Sequence, residues 1–219
     1  MQRSSVRNRL RGLLELARED VGVVLEKDPA ASGPWEVLLY PHLHALWLHR
    51  LAHRHYLKRR PVLARSLALL GRVVSGGIDI HPGAVIGRRF FIDHGCGVVI
   101  GETARIVDDV MLYHQVTLGA VGWWKDLRRP QGAARHPTIE DGVVVGANTL
   151  VLGPITIGAR TKIGAQALVL ESVPPDSIVR GNAATVVRRE PRPDDGNGTV
   201  AGAQPERVEL PAASRGTAR

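Results

Sequence analysis

Residues 139–169 read IEDGVVVGANTLVLGPITIGARTKIGAQALV, and an aliphatic residue returns at every sixth position of this stretch. The same step of six runs through residues 80–116, and it is interrupted only between residues 122 and 138. Ile or Val occupies twelve of the thirteen stepped positions, with Ala104 as the exception. The thirteen positions are Ile80, Ile86, Ile92, Val98, Ala104, Val110, Val116, Ile139, Val145, Val151, Ile157, Ile163 and Val169.

A period of six excludes a helix and favours short strands joined by sharp turns. An α-helix has about 3.6 residues per turn, so a strict step of six would carry these side chains around its axis. Three strand-and-turn units can instead close one triangular coil, with the aliphatic side chains stacked inside it. The sequence therefore predicts a left-handed parallel β-helix with room for roughly five coils of about 18 residues.

The segments on either side of the repeat have other patterns. Residues 1–27, 35–58 and 61–74 carry apolar residues at helical spacing and are separated by Pro and Gly, which predicts a small helical domain over residues 1–75. We expect a kink or a break in the second helix near Pro41. The β-helix catalytic domain would cover residues 76–189, with a long loop at residues 122–138. Residues 190–219 are rich in Pro, Gly, Ala and charge and lack any period, so we expect a disordered tail.

Composition limits the environment and the partners. The single cysteine, Cys96, cannot form an intrachain disulfide, which favours a reducing cytoplasm, and we expect it to be a small buried residue. No apolar run reaches the roughly 20 residues of a membrane span. The net charge of +8 comes from dispersed residues without an aromatic platform, which argues against nucleic acid and fits a phosphate-rich cofactor.

Several histidines are candidates for chemistry. Asp79 precedes His94 by 15 residues, so the two would lie on neighbouring coils and adjoining faces. A carboxylate beside a histidine is the arrangement of a general base, although a surface hydrogen-bonded pair fits the spacing equally well. We expect His81 and His114 to be structural. His49 and His53 are four residues apart, but no further ligand completes a metal site nearby, so we expect no metal.

Specific motifs resemble the serine O-acetyltransferase family over about residues 28–187. They include Asp79-Ile80-His81-Pro82, Asp93-His94-Gly95, Gly101-Glu102-Thr103, Val116-Thr117-Leu118-Gly119, Arg135-His136-Pro137 and Gly181-Asn182-Ala183-Ala184. The six-residue repeat alone would indicate only a broad group of acyltransferases. The resemblance implies that the chain transfers the acetyl group of acetyl-CoA to the hydroxyl of L-serine in cysteine biosynthesis. It implies no metal.

The resemblance also implies roles for individual residues. His94 would be the general base, oriented by Asp79. Arg135 would bind the substrate carboxylate, and His136 would meet the substrate from a neighbouring subunit. Asp28 and Asp93 would face the substrate ammonium. Residues implied for acetyl-CoA are Gly119, Ala120, Gly146, Ala147 and Lys162, the last toward its phosphates.

The family also implies an assembly, and three features of this chain depart from the family's sequence pattern. A homotrimer with active sites between subunits is expected, and a hexamer is the other possibility. The chain ends in Arg219 where many relatives end in an Ile that docks into a sulfhydrylase, so we expect no stable complex with that enzyme. Gly119-Ala120 replaces a Gly-Gly turn, and the segment before Arg135 is longer, with Trp123 and Trp124.

These departures keep other functions open. An acyltransferase of the same fold that acts on another small hydroxy- or amino-acid is the main alternative. The loop could cover the active-site mouth and select the acceptor, or it could pack between subunits. A zinc hydratase would need three converging histidines. Its usual His-x₄-His spacing occurs only at His44 and His49, in the helical region. A purely structural β-helix would leave the histidines and Arg135 without a role.

Overall fold

The structure, a computed structural model, describes residues 2–130 and 132–181, with side chains from residue 12 onward except residue 13. The predicted tail, residues 190–219, and the predicted end of the β-helix, residues 182–189, lie outside the described residues. The helices are α1 (Gln2–Lys27), α2 (Pro34–Val37), α3 (Pro41–Leu57), α4 (Pro61–Val74) and the short α5 (Trp123–Asp126).

Proline determines where three of the helices begin. Pro34, Pro41 and Pro61 each occupy the first turn of a helix, where the missing N–H costs nothing. The break predicted near Pro41 is confirmed: the segment 35–58 is divided into α2 and α3, because Tyr40 precedes Pro41 and adopts an extended conformation with φ −68° and ψ 124°. The boundaries predicted for the helix that follows Pro61 are confirmed.

Fourteen short parallel strands form the predicted left-handed β-helix of five coils. Sheet A has the order β1-β4-β7-β10-β13, sheet B the order β11-β8-β5-β2, and sheet C the order β14-β12-β9-β6-β3. The strands are β1 (Asp79–Ile80), β2 (Val85–Ile86), β3 (Phe91–Ile92), β4 (Val99–Ile100), β5 (Arg105–Ile106), β6 (Met111–Leu112), β7 (Thr117–Gly119), β8 (Thr138–Ile139), β9 (Val144–Val145), β10 (Leu150–Leu152), β11 (Thr156–Ile157), β12 (Lys162–Ile163), β13 (Leu168–Val169) and β14 (Ile178–Val179).

The predicted step of six is wrong in detail between Val98 and Val116. Ile80 pairs with Ile100, a displacement of 20 residues, so two extra residues lie between β3 and β4. The strand positions that continue the stack are therefore Ile100, Ile106, Leu112 and Leu118. Val98, Ala104, Val110 and Val116 lie two residues earlier and are also fully buried. Because both sets of positions are buried and apolar, the sequence pattern does not distinguish the two registers.

Cys96 is exposed, so the prediction of a buried small residue was wrong. The expectation assumed that the step of six continues unbroken after Ile92. In that register Cys96, four residues after Ile92, would occupy the position at which each six-residue unit turns a small side chain inward, as Ala84 does four residues after Ile80. Because of the two extra residues, that inward position belongs to Val98, which is 0% exposed, and Cys96 falls in the turn.

The helices pack against the first coil, where α1 contacts β3 of sheet C and both α3 and α4 contact β1 of sheet A. Phe91 of β3 points outward yet is only 1% exposed, because it packs against Val23 and Val24 of α1 and Leu43 of α3. Asp20 of α1 is buried and accepts hydrogen bonds from Arg50 and, at 2.9 Å, from Trp47 Nε1. In the part of the chain that the structure describes, no helix has the length and apolarity to cross a membrane.

Two histidines of α3 belong to the core. His42 and His49 are each 3% exposed, and burial lowers the pKa of His42 to about 4 and that of His49 to about 3. The His49 and His53 rings lie 5.8 Å apart. Within residues 2–130 and 132–181, no group of three or more His, Cys, Asp or Glu side chains could hold a metal ion.

Candidate functional site

The corner between sheets C and A, here called the C–A corner, carries His94. The residue follows β3 and adopts a left-handed conformation, with φ 60°, which projects its imidazole outward so that the side chain is 78% exposed. His94 Nε2 lies 3.9 Å from Asp93 Oδ1. Its ring centroid lies 6.2 Å from that of His114, on the next coil. An exposed imidazole beside a carboxylate can accept a proton from a bound hydroxyl.

Asp79 lies in the adjoining segment but makes no direct contact with His94. Its backbone N–H donates to Val98 C=O at 2.9 Å, and its carboxylate lies 3.5 Å from Arg72 Nη1. Among the described residues, no hydrogen bond or ion pair joins Asp79 to His94. The structure therefore brings the two segments together without the carboxylate–imidazole contact that the sequence predicts, and the orienting role of Asp79 stays a prediction.

Tyr40, in the turn between α2 and α3, is influenced by several carboxylates. Asp28 Oδ2 accepts a hydrogen bond from the Tyr40 hydroxyl at 2.9 Å, and Asp28 Oδ1 accepts one from the Ala30 N–H at 2.8 Å. The pKa of Tyr40 is raised, first by the hydrogen bond to Asp28, with a smaller contribution from the charge of Asp93. Asp28 and Asp93, which are both predicted to face the substrate ammonium, therefore both raise the pKa of the Tyr40 hydroxyl. Sequence reasoning missed Tyr40, because no repeat or motif marks it.

The corner between sheets A and B, the A–B corner, holds His136. The side chain is 7% exposed, and its Nδ1 accepts a hydrogen bond from the Thr103 N–H at 3.1 Å and lies 2.9 Å from Thr103 Oγ1. Burial, followed by the charge of Arg135, lowers the pKa of His136 to about 4. The ring is therefore neutral near pH 7, with its proton on Nε2.

The ring of His136 lies directly against the backbone of residue 101, so only Gly fits at that position. A Cβ on Gly101 would lie 2.0 Å from Cδ2 of His136, which no real contact permits. Any larger residue at position 101 would displace the histidine and the Arg135 beside it.

Arg135 is held between two carboxylates. Its Nη2 donates to Glu102 Oε2 at 2.7 Å, and its Nη1 lies 3.6 Å from Asp126 Oδ2. Glu102 Oε1 also accepts a hydrogen bond from the Tyr56 hydroxyl at 2.8 Å. The hydrogen bond from Arg135, followed by that from Tyr56, lowers the pKa of Glu102. Glu102 therefore remains ionised and fixes one edge of the guanidinium, a contact that sequence reasoning did not assign.

The predicted loop enters at the A–B corner, between β7 and β8. Its short helix α5 supplies Asp126, whose side chain is only 12% exposed, while Trp123 and Trp124 are 71% and 54% exposed. The loop and the outer side of sheet B border an open cavity of about 710 Å³ next to Arg135. The cavity wall includes Tyr56, Glu102, Arg105, Trp123, Leu127 and Arg129. Whether the loop selects an acceptor stays a prediction.

The residues predicted to bind acetyl-CoA are divided between the two corners. Gly119 ends β7 at the A–B corner, whereas Gly146 and Ala147 follow β9 at the C–A corner. Lys162 begins β12 on the outer side of sheet C and is exposed. His94 and Arg135 are divided in the same way. The strands of sheet A lie between the two corners, so within one chain the two sets are at opposite edges of that sheet.

Comparisons with known proteins show which family the sequence and the fold resemble. The family model "Bacterial transferase hexapeptide (six repeats)" matches residues 136–171. A serine acetyltransferase of Mycobacterium tuberculosis is 48% identical over 183 residues, 83% of this chain and 76% of that protein. A serine acetyltransferase of Helicobacter pylori is 51% identical over 168 residues, 76% of this chain and 94% of that protein.

Solved structures are similar as well. The Entamoeba histolytica serine acetyltransferase isoform 3, in complex with cysteine, has a TM-score of 0.72 and 40% identity, covering 84% of this chain and 63% of that chain. The Neisseria gonorrhoeae serine acetyltransferase, in complex with serine, has a TM-score of 0.69 and 37% identity, covering 77% of this chain and 66% of that chain.

Proposed function

The chain belongs to the serine acetyltransferase family and transfers the acetyl group of acetyl-CoA to the hydroxyl of L-serine, and we propose that His94 is the general base of this reaction. The observation that carries the assignment is the exposed imidazole of His94 at the C–A corner, 3.9 Å from Asp93, whose charge also acts on Tyr40.

His94 would take the proton of the serine hydroxyl as the oxygen attacks the thioester carbonyl. When the carbon–sulfur bond breaks, the same proton would pass to the sulfur and release CoA as a thiol. General-base action of this kind contributes roughly 10²–10⁴-fold. Asp79 would orient the His94 ring once the site is complete, because a carboxylate favours the tautomer whose free nitrogen faces the hydroxyl.

The charges on the two corners suit the two ends of serine. Asp28 and Asp93 would face the ammonium group. The negative charges of both residues raise the pKa of Tyr40, so this part of the surface is negatively charged before substrate binds. Arg135 would bind the carboxylate, since a guanidinium presents a planar set of donors to two oxygens. His136, neutral and packed on Gly101, would meet the substrate beside Arg135.

Acetyl-CoA would lie in the groove along the coils. Gly146 and Ala147 at one corner, and Gly119 and Ala120 at the other, have little or no side chain and would leave room for the pantetheine arm. Lys162 is exposed one coil further and would meet the phosphates. No metal takes part in this scheme.

A homotrimer would complete the site. The C–A corner of one chain would face the A–B corner of the next, and repetition of one such contact closes a ring. The outer side of sheet A lies between these corners and carries three exposed apolar side chains, Val99, Leu150 and Leu168, which are 41%, 40% and 59% exposed. A hexamer of two such rings is the other assembly that we consider, and equilibrium sedimentation distinguishes them.

Acetyl transfer to another small hydroxy- or amino-acid is the alternative function, because the loop of residues 122–138 adjoins Arg135. Release of free thiol from acetyl-CoA with L-serine, L-homoserine, L-threonine and L-alanine as acceptors tests it. We expect the highest kcat/KM with L-serine, and a higher value with any other acceptor would favour the alternative. The cytoplasmic location expected from the single cysteine stays a prediction that cell fractionation tests.

A further inference from the structure

One histidine of the C–A corner has no role in the scheme above. The pairing of β3, β6 and β9 aligns Phe91 with Met111 and Met111 with Val144. The residues three positions further on are His94, His114 and Ala147, which therefore occupy the same corner of three successive coils. The Asn148 N–H donates to the His114 carbonyl at 3.1 Å, which fixes the third coil beneath the second.

The ring of His114 lies against that of His94. Their centroids are 6.2 Å apart and their planes meet at 69°. Among the residues that the structure describes, no hydrogen bond holds either nitrogen of His114, so its N–H is free to meet a ligand. Ala147, on the next coil, leaves the groove open beyond it.

This placement lies on the path of the acetyl donor. The pantetheine arm beside Gly146 and Ala147 must cross one coil to bring its thioester to His94, and the corner residue of that coil is His114. We propose that His114 is a further catalytic residue, whose imidazole N–H donates a hydrogen bond to the thioester sulfur. The proposal rests on the acetyl-CoA path given under the proposed function.

The step is balanced in protons and electrons. The serine oxygen forms a bond to the carbonyl carbon while His94 takes its proton, and the carbon–sulfur bond then breaks with both electrons on sulfur. The His114 N–H stabilises the negative charge that develops there, as fixed donors stabilise other developing anions. His94 returns the proton to sulfur, so His114 ends the cycle unchanged.

Two substitutions at His114 separate the effect of the N–H donor from the effect of the side chain's size. His114→Leu keeps an apolar side chain of similar size without a donor, and His114→Gln keeps an N–H donor. With acetyl-CoA and L-serine, we expect His114→Leu to lower kcat about tenfold or more with both KM values within about twofold of wild type. His114→Gln should recover most of that loss. Unchanged thermal midpoints would show that both variants fold.

Binding of desulfo-CoA gives a test that does not depend on catalysis. Wild-type protein should bind CoA about fivefold more tightly than desulfo-CoA, and His114→Leu should abolish this preference while leaving the affinity for desulfo-CoA unchanged. Equal affinity of the wild type for the two compounds, or a preference that persists in His114→Leu, would overturn the proposal. Failure of His94 as the base would appear separately, since binding needs no proton transfer.

Discussion

Glu102 Oε2 accepts a hydrogen bond from Arg135 Nη2 at 2.7 Å, while the other oxygen of the same carboxylate accepts one from Tyr56 of α3. The helical region is thereby linked through Glu102 to the arginine proposed to bind the substrate carboxylate. Because Tyr56 and Glu102 are 46 residues apart, this link comes from the tertiary fold.

Glu102→Gln should weaken the binding of L-serine. The amide keeps the shape of the side chain but loses the charge that holds the Arg135 guanidinium, so we expect KM for L-serine to rise about fivefold to tenfold with kcat within about twofold. Steady-state kinetics measure both constants. Tyr56→Phe removes only the supporting hydrogen bond and should raise KM about twofold.

Two controls show whether the effect of Glu102→Gln runs through Arg135. Glu171→Gln changes an exposed carboxylate in the turn after β13 and should leave both constants unchanged. Ethanolamine lacks the carboxylate of serine, so its acetylation should be equally fast in the wild type and in Glu102→Gln. An equal loss with both acceptors would mean that Glu102 supports the fold and not the carboxylate site.

Shortening the loop should affect serine more than the acetyl donor. Replacing residues 123–133 with a Gly-Ser link removes Asp126 and the outer wall of the cavity beside Arg135, so we expect KM for L-serine to rise several-fold and KM for acetyl-CoA to change little. Lys125→Ala, an exposed change within α5, is the matched control. An unchanged KM for L-serine would mean that the loop is only a packing element.

Stability should fall in weak acid. The pKa values of His42 and His136 are lowered to about 4 and that of His49 to about 3, from an ordinary value near 6.5, because burial disfavours the charged ring. Since the unfolded chain binds these protons first, the stabilisation is complete above about pH 6.5 and is lost as pH falls toward 4 and below.

Urea unfolding at pH 7.5, 6.0 and 5.0 measures this dependence. His49→Leu removes the most strongly shifted of the three groups, so the free energy of unfolding should decline less steeply with falling pH than in the wild type. Identical slopes in the two proteins would show that His49 does not carry the effect.

Patterns local in sequence predicted the coil architecture, the helix after Pro61 and the position of the long loop, because a period of six and a proline both act within a few residues. The register between Val98 and Val116 could not be read in this way. Each unit buries two apolar positions two residues apart, such as Val98 and Ile100, and a shift of two leaves the apolar pattern nearly intact.

The contacts of the candidate site were even less accessible to sequence reasoning. Tyr40 meets Asp28, and Tyr56 meets Glu102, through packing between the helices and the coils, so no spacing reports them. The residues carried by motifs, His94 and Arg135, were found on separate corners. A sequence pattern cannot reveal that division, because it depends on how the chain folds into a triangle.

The central claim is that His94 is the base that accepts the serine proton. The measurement that tests it most directly is the turnover of His94→Asn in the thiol-release assay with acetyl-CoA and L-serine. Asn tolerates the left-handed backbone that His94 adopts, at φ 60°, so the fold should be kept, with an unchanged thermal midpoint. We predict that kcat falls by about 10² or more. A correctly folded His94→Asn protein with turnover near that of the wild type would contradict the account.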